Sequence, residues 1–121
     1  LDCEDKEVAA YGSKEEAFIL ALNRVITEHI SDPELDQTIL CSELGLSRAS
    51  LYNKMKAITG TGVKEYITHI RLEKAKALIE NSNLSIAEIS DMTGFASQSY
   101  FSTAFKAHVG QSPSQYKKSL K

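Results

Sequence analysis

Residues 39–60 read ILCSELGLSRASLYNKMKAITG, and residues 88–110 read EISDMTGFASQSYFSTAFKAHVG. The two stretches are copies of one pattern. Ahead of the internal glycine, Leu40 matches Ile89, Cys41 matches Ser90, Gly45 matches Gly94 and Leu46 matches Phe95, an offset of 49 residues. Behind it the offset is 50: Leu51 matches Phe101, Met55 matches Phe105, Lys56 matches Lys106 and Gly60 matches Gly110. The second turn is therefore one residue longer. Each copy reads as short helix, glycine turn, second helix, which is the helix-turn-helix plan. The chemistry of each position fits that plan. The small Cys41 and Ser90 stand where two helices cross closely. The glycines supply a left-handed turn that a side chain resists. Leu46 and Phe95 fill the space beneath the turn. Leu51 with Met55, like Phe101 with Phe105, are one helical turn apart and pin the second helix to a core. The opposite face of each second helix is left polar and free.

Outward from the repeats, helical periodicity dominates and no strand-like alternation is sustained, so the fold class is all-α. Residues 1–12 read as a flexible acidic lead-in, with Ser13 as the N-cap of a first helix and Glu16 at the capping-box spacing. That helix carries Phe18, Leu22, Val25, Ile26 and the His29–Ile30 pair on one face and stops near Ser31-Asp32-Pro33, because Pro33 disfavours helical backbone at Asp32. A short helix is predicted from about Asp36 or Thr38 to Leu44, and a second from Ser47 to about Thr59. A long helix is predicted over about 62–80. Short helices follow over about 86–93, 97–109 and 113–119, the last opened by Ser112-Pro113. The resulting organisation is a first unit of about 13–61, a linker helix of about 62–80 and a second unit of about 81–121, with 13–121 forming the folded domain. A 19-residue rod is roughly 28 Å long, near the ~34 Å between successive major-groove faces on one side of a DNA duplex.

Charge is divided between the halves. The whole chain carries −2, but residues 1–46 hold three bases against eleven acids and residues 47–121 hold eleven bases against five acids. A basic segment can meet phosphates while the acidic one faces another domain.

Other functions find little support. No stretch near 18 residues is apolar throughout, and no signal peptide is evident. Cys3 and Cys41 read as free thiols of a reducing compartment, so a cytoplasmic location is expected. Cys3, His29, Cys41, His69 and His108 are scattered and lack metal-ligand spacing, so neither a metal nor a cofactor is expected. No phosphate-binding glycine loop or nucleophile–histidine pair points to an enzyme. Leu1, rather than Met, stands first, and the chain is expected to be a piece of a longer protein.

Four features together resemble the AraC/XylS family of bacterial transcription regulators: LGLSRASLYNKMKAITG at 44–60, YITHIRLEKAKALIENSNLSIAEIS at 66–90, TGFASQSYFSTAFKAHVGQSP at 93–113, and Tyr116. The likeness spans about residues 17–119. It implies seven helices, two helix-turn-helix subdomains and promoter DNA as partner. It also implies an upstream sensor or receiver domain in the same chain; the 47–60 wording is most similar to output domains of hybrid two-component regulators, whose full-length chains carry a kinase or sensor domain.

The polar side of the first recognition helix (about 47–59) offers Ser47, Arg48, Ala49, Ser50, Tyr52, Asn53, Lys54 and Lys56. The resemblance puts Ala49, Tyr52 and Asn53 toward base edges, where Asn53 can bond adenine N6 and N7 together. Ser50 is placed with them. Ser47, Arg48, Lys54 and Lys56 are assigned to phosphates. On the second helix (about 97–109) the resemblance puts Gln98, Ser99 and Thr103 toward bases, leaving Tyr100, Ser102 and Lys106 for phosphates. Relatives often carry arginine where Thr103 stands, so weaker readout is expected from this unit. Lys117, Lys118 and Lys121, with the amides opening the Pro113 helix, are further phosphate candidates. Arg71 is expected to pair internally with an acid such as Glu88 or Asp91. The competing reading is a helical module that docks on a neighbouring signalling domain or on RNA polymerase through its acidic first helix.

Overall fold

A computed structural model describes residues 2–120, with side-chain surroundings from residue 14 onward. Among the described residues it contains seven helices and no strand: α1 (Asp2–Glu28), α2 (Gln37–Leu44), α3 (Arg48–Thr59), α4 (Val63–Asn81), α5 (Ile86–Met92), α6 (Gln98–Val109) and α7 (Pro113–Ser119).

Short polar side chains start five of the helices. Asp36 accepts from the amides of Thr38 and Ile39, Ser47 from Ser50, and Ser97 from Tyr100. Ser85 with Glu88, and Ser112 with Gln115, close reciprocal capping boxes. Gly45 and Gly94 turn the chain at φ +66 and +79. The second turn is longer by one residue: α3 starts three residues after Gly45, and α6 starts four after Gly94.

Helix α1 differs from expectation. Its backbone is helical from Asp2, so Ser13 lies within the helix rather than at its cap. The stretch Asp2–Ala10 is rich in good helix formers, and one interior glycine, Gly12, costs only about 1 kcal/mol.

Two apolar clusters form the core. Leu22, Val25, Ile26, Leu35, Leu40, Leu51, Met55 and Ile67 make the first. Leu72, Ala75, Ile79, Ile89, Phe95, Phe101 and Phe105 make the second. Helix α4 serves both, giving Ile67 to the first and Leu72, Ala75 and Ile79 to the second. Polar pins fix its two halves. The Tyr66 hydroxyl donates to Asn23 Oδ1 of α1 at 2.7 Å, and the Tyr116 hydroxyl of α7 donates to Glu80.

The repeat is less symmetrical in depth than in wording. Ser90 is buried whereas Cys41 is half-buried, and Phe95 is buried whereas Leu46 only packs at the edge of its cluster. Arg71 also departs from expectation. It is internal, but it bonds neither Glu88 nor Asp91. Its Nη2 donates to the Asp32 carbonyl at 2.6 Å and its Nε to the Ile30 carbonyl at 3.4 Å. Glu88 is occupied in the Ser85 capping box. Burial pushes the Arg71 pKa below its ordinary value, while Asp32 and Tyr100 oppose the shift.

Candidate nucleic-acid interface

At about 3.6 residues per turn, fixing Leu51 and Met55 inward sets the direction of every other side chain of α3. Ala49, Asn53 and Lys56 come to the outward crest, with Arg48 and Tyr52 on one flank and Ser50 and Lys54 on the other. All seven are exposed, as is Ser47. On α6, buried Phe101 and Phe105 do the same. Ser99, Thr103 and Lys106 form its crest, Gln98 and Ser102 one flank, and Tyr100 the other. These are exposed except Ser102, which is half-buried. The crests are repeat-equivalent: Ala49 with Ser99, Asn53 with Thr103, Lys56 with Lys106.

Local contacts give these groups different freedom. The Lys56 ammonium lies over the Tyr52 ring, 5.9 Å from its centroid, so a cation and an aromatic are presented together. Lys54 is drawn back over Phe18 of α1, at 5.7 Å. Arg48 leans toward α2, its Nη2 donating to Thr38 Oγ1 at 3.4 Å. The Thr103 hydroxyl donates to the Ser99 carbonyl of its own helix at 3.1 Å, which uses its only donor. Among the described residues none hydrogen-bonds the Asn53 side chain, and Asn53 is exposed. Tyr100 packs on Phe95 with ring centroids 5.7 Å apart.

Between the starts of α3 and α6 lies a cleft of about 580 Å³. Arg48, Ala96 and Tyr100 stand on its walls, and Lys64, Thr68 and Arg71 of α4 on its floor. Of its charged lining residues, Arg48, Lys64 and Arg71 face a single carboxylate, Asp36, and that carboxylate caps α2. The sequence reading missed Lys64 and Thr68. Their only sequence signal was a polar side chain at two positions four residues apart on the first turns of the long helix.

The C-terminal candidates are more constrained than expected. Lys117 donates to the Leu84 carbonyl at 3.2 Å rather than standing free. The capping box at the start of α7 engages the Ser112 and Gln115 amides. Lys118 is exposed, and Lys121 lies outside the described residues. The histidines take structural partners. His29 bonds Glu43 at 3.2 Å, and His108 of α6 bonds Glu73 of α4 at 2.7 Å. That bond holds the Glu73 carboxyl below its ordinary pKa, against slight burial and with help from His108, Lys76 and His69. Among the described residues no helix is long and apolar enough to cross a membrane.

A family model described as "Helix-turn-helix domain" matches residues 40–119, which contain all but the first residue of the two repeats and all of α4. The chain belongs to the AraC-type helix-turn-helix family. Relatives that carry such a domain include transcription regulators. This AraC-type domain is 35% identical over 108 residues to the Msm operon regulatory protein of Streptococcus mutans, covering 89% of this chain and 38% of that protein. It is 35% identical over 104 residues to histidine kinase P4 of Formosa agariphila, covering 86% of this chain and 8% of that protein. Its fold matches the C-terminal domain of the two-component response regulator yesN from Fusobacterium nucleatum with a TM-score of 0.74 at 31% identity, over 84% of this chain and 98% of that one. The seven-helix, all-α architecture is that of AraC-type DNA-binding domains. The chain spans well under half the length of both curated relatives.

Proposed function

We propose that this AraC-type domain reads promoter DNA by placing α3 and α6 in successive major grooves. One observation carries the reading. Two repeat-equivalent helices bury one face and present matching polar crests, 49–53–56 and 99–103–106, on the other. Base contacts are assigned to Ala49, Ser50, Tyr52, Asn53, Gln98, Ser99 and Thr103. Phosphate contacts are assigned to Ser47, Arg48, Lys54, Lys56, Tyr100, Ser102 and Lys106. The strand joining the two grooves passes over the cationic cleft, near Lys64. The units are taken as about 13–61 and 81–121, held on the linker helix of about 62–80. The first is the stronger reader, because Asn53 is free and Thr103 is not.

The same reading places the domain at the output end of a longer cytoplasmic regulator, whose sensor, receiver or kinase portion lies upstream and which acts on RNA polymerase. The relatives named as a histidine kinase and as a response regulator support that arrangement. The test is selection from a random duplex pool by the 121-residue chain, followed by titration of the winner at several salt concentrations. Six to eight phosphate contacts give a log–log slope of about −5 to −7. No binding to any duplex at low salt refutes the reading and favours a protein-docking module.

A further inference from the structure

Outside α4, the two units meet where the α5–α6 turn reaches the end of α1. A Cβ built on Gly94 would stand 2.0 Å from the Ile30 carbonyl oxygen and 2.9 Å from an Arg71 guanidinium nitrogen. Only a glycine permits that approach. Arg71, near the middle of α4, closes the contact with its bonds to the carbonyls of Ile30 and Asp32. The turn that offers those carbonyls is itself braced, because Asp32 Oδ1 accepts from the Glu34 amide at 2.9 Å. One guanidinium thus gathers a segment of the first unit, the rod and the turn of the second unit. Elsewhere α4 packs on α1 and α3 and on α5, α6 and α7. Among the described residues no helix of one unit packs extensively on a helix of the other. Without the junction, the angle between the units depends on α4 alone.

We propose that the junction of Arg71, Gly94 and the Ile30 and Asp32 carbonyls sets the half-site spacing this domain accepts. The inference rests on the DNA reading above. Inserting one base pair between half-sites shifts the second by about 3.4 Å and turns it by roughly 35°, at 10–10.5 pairs per turn. Two units that pivot can follow part of that change, and two locked units cannot. Spacing is then selected by the protein's internal geometry, with Arg71 acting as a positioning residue that touches no base.

The experiment compares the wild-type chain with Arg71→Met, which keeps an apolar stem and removes every donor. Each is titrated with the DNA selected by the wild type and with versions carrying one base pair more or fewer between the half-sites. The wild type is expected to lose roughly tenfold or more on either altered spacing, the scale of one mismatched pair. Arg71→Met is expected to lose less than a third of that ratio, and Arg71→Lys, which lacks the planar fork, to fall between. A second readout needs no DNA. Spin labels at Ala57→Cys and Ala107→Cys, with Cys3 and Cys41 replaced by serine, report the distance between α3 and α6. Its distribution is expected to be narrow in the wild type and broadened by Arg71→Met. If Arg71→Met does not fold, Arg71→Lys carries both comparisons. Equal losses at every spacing with an unchanged distance distribution overturn the proposal. A wild type that selects no DNA overturns the DNA reading and the spacing claim with it, while the distance distribution still shows whether the junction locks the units.

Discussion

Gly45 and Gly94 occupy equivalent places in the repeat and have similar backbone, φ +66 and +79, yet replacing each with alanine is expected to have different consequences. At either site the left-handed backbone costs a side chain about 1–2 kcal/mol. Restricting the unfolded chain returns about 0.4–1 kcal/mol. A Cβ on Gly45 meets nothing within 4 Å, so Gly45→Ala ends there, at a net loss of about 0–1.6 kcal/mol. A Cβ on Gly94 falls 2.0 Å from the Ile30 carbonyl oxygen, so that oxygen must retreat by more than an ångström to reach ordinary contact. The retreat removes it from Arg71, and a hydrogen bond to a charged group contributes about 1.5–3 kcal/mol. Overpacking strain adds about 1–3 kcal/mol. Gly94→Ala should therefore destabilise the domain by about 2.5–6 kcal/mol more than Gly45→Ala, a gap of roughly 10–20 °C in Tm for a chain of this size. Thermal and urea unfolding followed by far-ultraviolet circular dichroism measures both variants. Equal destabilisation, to within about 1 kcal/mol, would refute the close approach at Gly94 and the junction built on it.

Asn53→Ala is expected to lose about 1–3 kcal/mol of affinity on the selected duplex and to relax preference at one base position. Affinities against every single-base variant of that duplex check it, and a uniform loss on all sequences contradicts base readout by Asn53. Glu73→Gln tests the α4–α6 bond to His108. The Glu73 carboxyl has a lowered pKa in the fold, so its contribution is complete above the ordinary value of 4.5 and is lost as pH falls through the folded value. The side chain is half exposed, so the loss at neutral pH should be well under 1 kcal/mol. Wild type and variant should converge in stability as pH falls from 4.5 through the lowered folded value, and a gap that stays constant over that fall contradicts the assignment.

Much of the fold was legible because it follows from local rules. Serine and aspartate caps, glycine turns and the spacing of Leu51 with Met55 and Phe101 with Phe105 each depend on neighbours within a turn or two of chain. The helix bounds after residue 30 accordingly fall within a residue or two of expectation. The start of α1 did not, since Gly12-Ser13 has the look of a boundary while the residues before it favour helix on their own. The crests of α3 and α6 were legible by the same periodicity. What those side chains do was not. Nothing in the order of residues shows Lys54 bending back to Phe18 or Lys64 facing Arg48 across a cleft. Arg71 illustrates the reason. Charge invites a search for an opposite charge, but its acceptors are main-chain carbonyls, which carry no signature in sequence.

The junction also bears on why the second unit can offer little chemistry. Thr103 uses its donor within α6, and Lys106 is the only lysine or arginine on that helix. In isolation such a helix would discriminate weakly. Joined rigidly to α3, it does not bind as a separate event. Once the first unit engages, the second is presented to the next groove at an effective concentration set by the geometry of the tether. A stiff tether raises that concentration at one separation and removes it at others. A fixed angle can thus substitute for base contacts: what α6 lacks in hydrogen-bonding groups, Arg71 and Gly94 supply as position. The extra residue in the second turn has the same logic. The Gly45 turn lies in open space, but the Gly94 turn must pass beneath the Ile30 carbonyl before α6 begins, and Ala96 lengthens that path without placing bulk against the junction.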